Sequence, residues 1–270
     1  MKNKLMWFVI IFLTCITTIS LRSLYMINKK FKKNKEELFN AREDCAREMF
    51  DLAQISPETS IALYQLMKDV DMVMNKHGLE YWIEGGTLLG AVRHKGIIPY
   101  DDDLDIEINE KDIEKLPTVL HDLNKLGYHV YTDLKNIDVT KLSWIQVVNR
   151  DKCSNKEHGI DIFVVIFNDE NSRFKNEAAQ DFFGHKTFTK SEIYPLKKYQ
   201  FGEIEVSGPN NPIPYLENYY SKDVMTKGCI SGQHSNPSIK KYRCIKLEGA
   251  MFEPAKPTGP LLDHSNLLPN

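Results

Sequence analysis

The alternation of apolar and polar positions is clearest between Leu79 and Ile108. Residues 79–83 are apolar and predict a short strand that ends just before the pair Gly85-Gly86. Residues 87–93 lack a two-residue alternation and predict a short helix after a glycine turn. Beyond Pro99 the pattern alternates strictly, with Leu104, Ile106 and Ile108 set against Asp103, Asp105 and Glu107. Side chains two apart share one face of a strand. The leucine and isoleucines therefore turn to the core, and Asp103 and Asp105 stand side by side. Upstream, Ser56-Pro57 reads as a cap followed by proline at the first helical position. Leu63, Leu66, Met67, Val70, Val73 and Met74 follow at helical spacing, and Gly78 stops the helix.

Downstream, Asn109 caps a helix carrying Ile113, Leu116, Leu120, Leu123 and Leu126, with a kink or restart at Pro117. Strands are predicted over residues 128–131, 144–148 and 159–167, with residues 150–158 as a polar connection. Residues 201–206 alternate like an edge strand. A short helix opens at Pro214, and the proline-rich tail from Gly249 reads as extended or disordered. Interleaved strands and helices predict an α/β fold, a small mixed sheet flanked by helices.

Two carboxylates on one strand face repel each other unless a cation lies between them. All-oxygen ligands suit Mg²⁺ or Mn²⁺, which carboxylates commonly share with substrate phosphates. Gly85 and Gly86 permit positive φ and close backbone approach. The helix that follows presents free N–H groups, a seat for phosphate. Arg93 and Lys95 lie between these glycines and the cluster Asp101, Asp102, Asp103 and Asp105. A solvated acidic turn is the plain alternative, and the flanking features weigh against it. Asp161 interrupts an apolar strand. A buried unpaired charge is costly, so Asp161 needs a partner, either a cationic side chain or a metal.

The run GGTLLGAVRHKGIIPYDDDLDI resembles the signature of the LicD family, which includes bacterial phosphocholine transferases and animal fukutin-type phosphoribitol transferases. The resemblance covers residues 81–223 and implies a nucleotidyltransferase-like fold. It implies a metal site at Asp103 and Asp105, with Asp161, in its Ile-Asp-Ile-Phe context, as third carboxylate. It further implies phosphoryl transfer from a CDP-linked donor, such as CDP-choline or CDP-ribitol, to a glycan hydroxyl with release of CMP. Gly85, Gly86 and Thr87 would cradle the donor phosphate, with Arg93 and Lys95 beside it. Asp105 or Asp161 would take the acceptor's proton. Tyr220 stands where the family usually has glycine, and Val224 where an aromatic often follows Asp223. Those departures concern local donor or acceptor contacts. Two rival readings are a transferase moving NMP itself and a silent relative that binds a glycan or partner. Retention of the paired carboxylates argues against silence.

The chain has 270 residues and a formal net charge of −2, which argues against nucleic acid as main partner. Residues 5–21 are uncharged and mostly apolar, with Lys2 and Lys4 before them. They predict an N-terminal membrane anchor within residues 1–28, with a cleaved signal peptide or a buried helix as alternatives. A charged stem (29–55), a catalytic domain (56–248) and the tail (249–270) complete the expected organisation. Orientation is in conflict. Arg22, Lys29, Lys30, Lys32, Lys33 and Lys35 outnumber Lys2 and Lys4, which favours a cytosol-facing domain. Resemblance to Golgi enzymes favours a single-pass protein with a lumenal domain. Cys15 lies in the apolar run. Cys45, Cys153, Cys229 and Cys244 allow two disulfides or remain isolated thiols.

Overall fold

The computed structural model describes residues 21–37, 47–51, 53–132, 141–150, 157–183, 187–230 and 243–268. Residues 1–49 and 50–270 are two separate compact units. In the first, residues 21–37 are helical and exposed. Apart from Leu21, the expected membrane span falls outside the described residues. Among the described residues, no helix is long and apolar enough to cross a membrane.

The second unit opens with helix α1 (Pro57–Lys76). The Ser56 side chain accepts from the Thr59 N–H at 3.1 Å, and Pro57 occupies the first turn, as the sequence predicts. The six apolar positions expected inward are all fully buried. Strand β1 (Tyr81–Ile83) leads directly into helix α2 (Gly85–Arg93). That helix starts two residues earlier than its pattern suggests. Gly85, at φ 51°, makes the sharp turn out of β1, so the glycines are its first turn rather than a preceding loop.

Strand β2 (Leu104–Asn109) follows the aspartate cluster. Asn109 then caps a 3₁₀ turn (Glu110–Lys115), and α3 (Leu116–Lys125) restarts at Pro117. Strands β3 (His129–Thr132), β4 (Trp144–Arg150), β5 (Glu157–Asn168) and β6 (Asn171–Phe174) complete the main sheet. Both β4 and β5 run further into the polar connection than their apolar residues reach, because backbone pairing continues to Arg150 and Glu157.

The strand order is β1-β2-β5-β4-β3, with β6 added on β5. Only β2 and β5 are parallel, so the sheet is mixed. Register places Leu104, Ile106 and Ile108 beside Ile160, Ile162 and Val164, all buried. The opposite face carries Asp105, Glu107, Asp161 and Phe163 on the same two strands.

Short helices α4 (Glu177–Phe183) and α5 (Lys190–Ile193) follow, the latter held by a Thr189/Glu192 capping box. Residues 201–206 are not one edge strand. They hold the turn of a hairpin between β7 (Lys197–Phe201) and β8 (Ile204–Gly208), where Gly202 takes φ 64°. Helix α6 (Ile213–Tyr219) then leads to a hairpin of β9 (Lys227–Ile230) and β10 (Arg243–Lys246). A Cys229–Cys244 disulfide crosses that hairpin. Cys45 and Cys153 lie outside the described residues.

The tail is mostly extended, as its prolines predict, and it is also tied down. Ala255 N–H donates to the Ile97 carbonyl at 2.9 Å, and Leu262 N–H donates to Gln65 Oε1 at 2.7 Å. Ala255 and Leu268 join the core.

Candidate active site

The polar face of the sheet is built in rows, because neighbouring strands put partnered residues on the same side. Glu84 N–H donates to the Asp105 carbonyl at 3.1 Å, extending the β1–β2 ladder by one residue. Asp105 pairs with Asp161 across the parallel junction, and Asp161 with Gln146 of β4. One row therefore reads Glu84, Asp105, Asp161, Gln146. The next reads Trp82, Glu107, Phe163, Trp144.

Glu84 and Glu107 are buried, Asp105 and Asp161 half-buried, and the side-chain donors they meet among the described residues are neutral. Tyr215 OH, on α6, donates to Glu84 Oε2 at 2.6 Å, and Trp82 Nε1 donates to Glu107 Oε2 at 2.5 Å. Gln146 and Trp144 donate to Asp161, yet its Oδ1 is buried without a hydrogen-bond partner. Burial, then repulsion from Asp103 and Asp161, pushes Glu84 up to about 7 against the opposing pull of Tyr215. Burial, then the charge of Asp103, raises Asp161 to about 6. Asp105 is raised well above the carboxylate range by burial and by the charges of Asp103, Glu84, Asp161 and Asp101. Glu107 moves the same way, through burial and Glu84.

The glycines make room for this crowding. A Cβ on Gly85 would lie 3.2 Å from Asp105 Oδ2. One on Gly86 would overlap Asp101 Oδ2 at 2.3 Å. The start of α2 thus faces carboxylates, a favourable match for its positive end. Thr87 Oγ1 accepts from Asp105 N–H at 2.8 Å and fixes the start of β2 against α2.

Strand register pairs Asp105 with Asp161, and Asp103 lies inside their electrostatic field. Among the described residues, the carboxylates whose oxygens all lie within 4.8 Å of one another are Asp101, Asp102 and Asp103, a tighter trio than Asp103, Asp105 and Asp161.

Arg93 is not an exposed loop residue. Its Nη1 donates to the carbonyls of Val224 at 2.7 Å and Lys227 at 2.8 Å, and its Nη2 to Tyr100 OH at 3.2 Å. Lys95 is exposed, with Nζ on the Val92 carbonyl at 3.2 Å and no bond to the aspartates.

Glu84 and Glu107 flank the quoted sequence run at its two ends and give no signal as part of the row. Their neighbours in sequence, isoleucines and a glycine, say nothing of their partners, and only strand register reveals the row. Tyr215 and Tyr219 come from α6, far along the chain, and burial followed by the charges of Glu84, Asp105, Glu107 and Asp103 raises Tyr219.

The oxygen-only donor set, the orphaned Asp161 Oδ1 and the glycine-lined approach of Asp101 and Asp105 all fit a divalent cation. The family described as LicD/FKTN/FKRP, nucleotidyltransferase domain, matches residues 78–211, a span that includes this entire row of carboxylates. The Rickettsia prowazekii protein RP689 is 38% identical over 221 residues, covering 80% of this chain and 76% of that protein. The chain belongs to the LicD family. Two LicD-family relatives with assigned roles match over shorter stretches. The human ribitol 5-phosphate transferase FKRP is 46% identical over 52 residues, 19% of this chain and 10% of FKRP. The Haemophilus influenzae lipopolysaccharide cholinephosphotransferase LicD is 31% identical over 62 residues, 23% of each chain.

Proposed function

We propose that this LicD-family protein is a metal-dependent phosphotransferase. It moves a phosphoryl-linked group, of the phosphocholine or phosphoribitol kind, from a CDP-linked donor to a glycan hydroxyl and releases CMP. The observation that carries the reading is the row of buried Glu84 and half-buried Asp105 and Asp161, with no salt-bridge partner among the described residues. A purely structural sheet has no use for such a row, because each added charge destabilises the next. The names of the two relatives with assigned roles point to the same reaction class.

Asp103, Asp105 and Asp161 would hold Mg²⁺ or Mn²⁺, with Asp101 and Asp102 beside them. The bound ion would neutralise charge on the phosphates and the departing nucleotide. The chain's own work is positioning. Thr87 locks β2 to α2, and Gly85 and Gly86 let phosphate oxygens approach the backbone where a side chain would block them. One carboxylate of the row takes the acceptor's proton. Raised proton affinity suits a base acting near neutrality. Arg93, committed to Val224 and Lys227, acts from behind the site by holding that segment and adding its charge.

For location, we propose a membrane-anchored protein with its domain in an oxidising lumen. The apolar run at residues 5–21 supports the anchor, and the Cys229–Cys244 disulfide supports an oxidising compartment.

The test is direct. Purified protein is incubated with CDP-, UDP- and GDP-linked donors, a glycan acceptor and Mn²⁺, and the released nucleotide is identified. CMP, lost on chelation, is the expected product. Release of pyrophosphate from a nucleoside triphosphate would mark transfer of NMP instead. No release with any donor would overturn the assignment.

A further inference from the structure

Helix α6 carries a line of aromatic rings from the core to the rim of the carboxylate site. Phe188 stacks on Tyr215 with ring centroids 3.7 Å apart and planes 17° from parallel. Tyr219 lies 5.5 Å from Tyr215, and Tyr220 lies 4.7 Å from Tyr219. The inner end is fixed. Tyr215 is buried, and its hydroxyl is held by Glu84 at 2.6 Å. The outer end reaches the surface, where Tyr220 keeps 41% of its area exposed while its hydroxyl turns inward, and burial raises it well above its ordinary range. Among the described residues nothing hydrogen-bonds to its hydroxyl. Asp101, Glu84 and Asp105 lie within its electrostatic reach, as does Arg93.

We infer that Tyr220 is the stacking platform for the nucleobase of the donor. The inference rests on the phosphotransferase reading and extends it to a subsite. An exposed aromatic ring on a rigid support gains by stacking on another flat π-face. A nucleobase supplies that face and is uncharged, so it tolerates the neighbouring aspartates. Its carbonyl oxygen can accept from the phenol O–H. The phosphates of the same molecule then extend toward the carboxylates and the start of α2. The Glu84–Tyr215 bond makes Glu84 a positioning residue for the platform, since it ties α6 to the row that would hold the metal.

The experiment titrates the full chain, with Mn²⁺ present, against CDP, UDP, ADP and pyrophosphate, and repeats this for Tyr220→Ala, Tyr220→Phe and Tyr220→Trp. The wild type should bind one or more nucleoside diphosphates more tightly than pyrophosphate. Tyr220→Ala should erase that margin, a loss of about tenfold, and leave pyrophosphate affinity unchanged. Tyr220→Trp should keep the margin, and Tyr220→Phe should keep most of it. Equal loss for nucleotide and pyrophosphate, or a margin untouched in Tyr220→Ala, would overturn the platform. So would a wild type with no preference for nucleotides over pyrophosphate. If CMP release from a CDP-linked donor persists in any of those cases, only the subsite fails. If the wild type releases no nucleotide at all, the reaction assignment itself has failed.

Discussion

The carboxylates Asp122 and Asp69 of the helices have basic partners, whereas those of the sheet's polar face have none among the described residues. On α3, Asp122 meets Lys76 at 3.2 Å, His77 at 2.9 Å and Lys125 at 3.2 Å. The His77 bond, then those of Lys125 and Lys76, hold its carboxyl far below the usual range. On α1, Asp69 Oδ2 accepts from Tyr128 OH at 2.6 Å and Gln65 at 3.1 Å, and His264 of the tail lies 2.9 Å away. On the sheet, Glu84, Asp105, Glu107 and Asp161 have neutral donors or none, and all are pushed up. The first arrangement is what a protein does with a charge it needs for structure. The second leaves negative charge without a positive partner, and the proposed metal site rests on that contrast.

Asp105→Asn probes the sheet set hardest. It should lower transfer on the order of a thousandfold while raising the melting temperature of the metal-free protein, because one repelling charge is gone. Activity near wild type at saturating Mn²⁺ would break the comparison.

Arg93→Leu comes next. It strands the carbonyls of Val224 and Lys227, and urea unfolding should show a loss of about 2–4 kcal/mol. Wild-type stability would mean that the segment holds itself.

The pH dependence sharpens the contrast. Glu84 is raised from 4.5 to about 7, so between those values the folded state binds more protons than the unfolded state. Metal-free stability is then greatest below the unfolded value and declines as pH rises through about 7, by on the order of 1–3 kcal/mol. Melting curves from pH 4.5 to 7.5 should show the decline, and Glu84→Gln should make it shallower, leaving the share of Asp161. Mn²⁺ should stabilise more at pH 7.5 than at pH 5.

Asp122→Asn is the smallest effect and has the opposite sign. A depressed carboxyl contributes stability above its unfolded value and loses it as pH falls. The variant should lose about 1–2 kcal/mol at pH 7, less in acid, with transfer unchanged. A drop in transfer beyond its loss of folded protein would link the two sets.

Much of the site was legible locally. The phase of Asp103 and Asp105 against Leu104, Ile106 and Ile108 put two carboxylates on one face, and Asp161 stood out in an apolar strand. Glu84 and Glu107 were not legible, because a glutamate beside a glycine or isoleucine looks the same whether it faces water or a neighbour's carboxylate. The partners of Arg93 were hidden for a related reason. Its position in the run suggested a phosphate contact, but a guanidinium has several donors, and the carbonyls of Val224 and Lys227 had claimed them. The turn at Gly202 was hidden inside an alternating stretch, since a two-residue hairpin barely interrupts the period.

The sequence by itself determined what depends on nearest neighbours: the Ser56-Pro57 helix start, the burial of α1's apolar stripe and the alternation of β2. Each follows from backbone sterics and short-range periodicity. Tertiary structure alone decided the parallel pairing of β2 with β5, the contact of Tyr215 with Glu84, the commitment of Arg93 and the anchoring of the tail on α1. Those join residues distant in the chain. Which donor meets which acceptor there is settled by competition among groups that no local pattern compares.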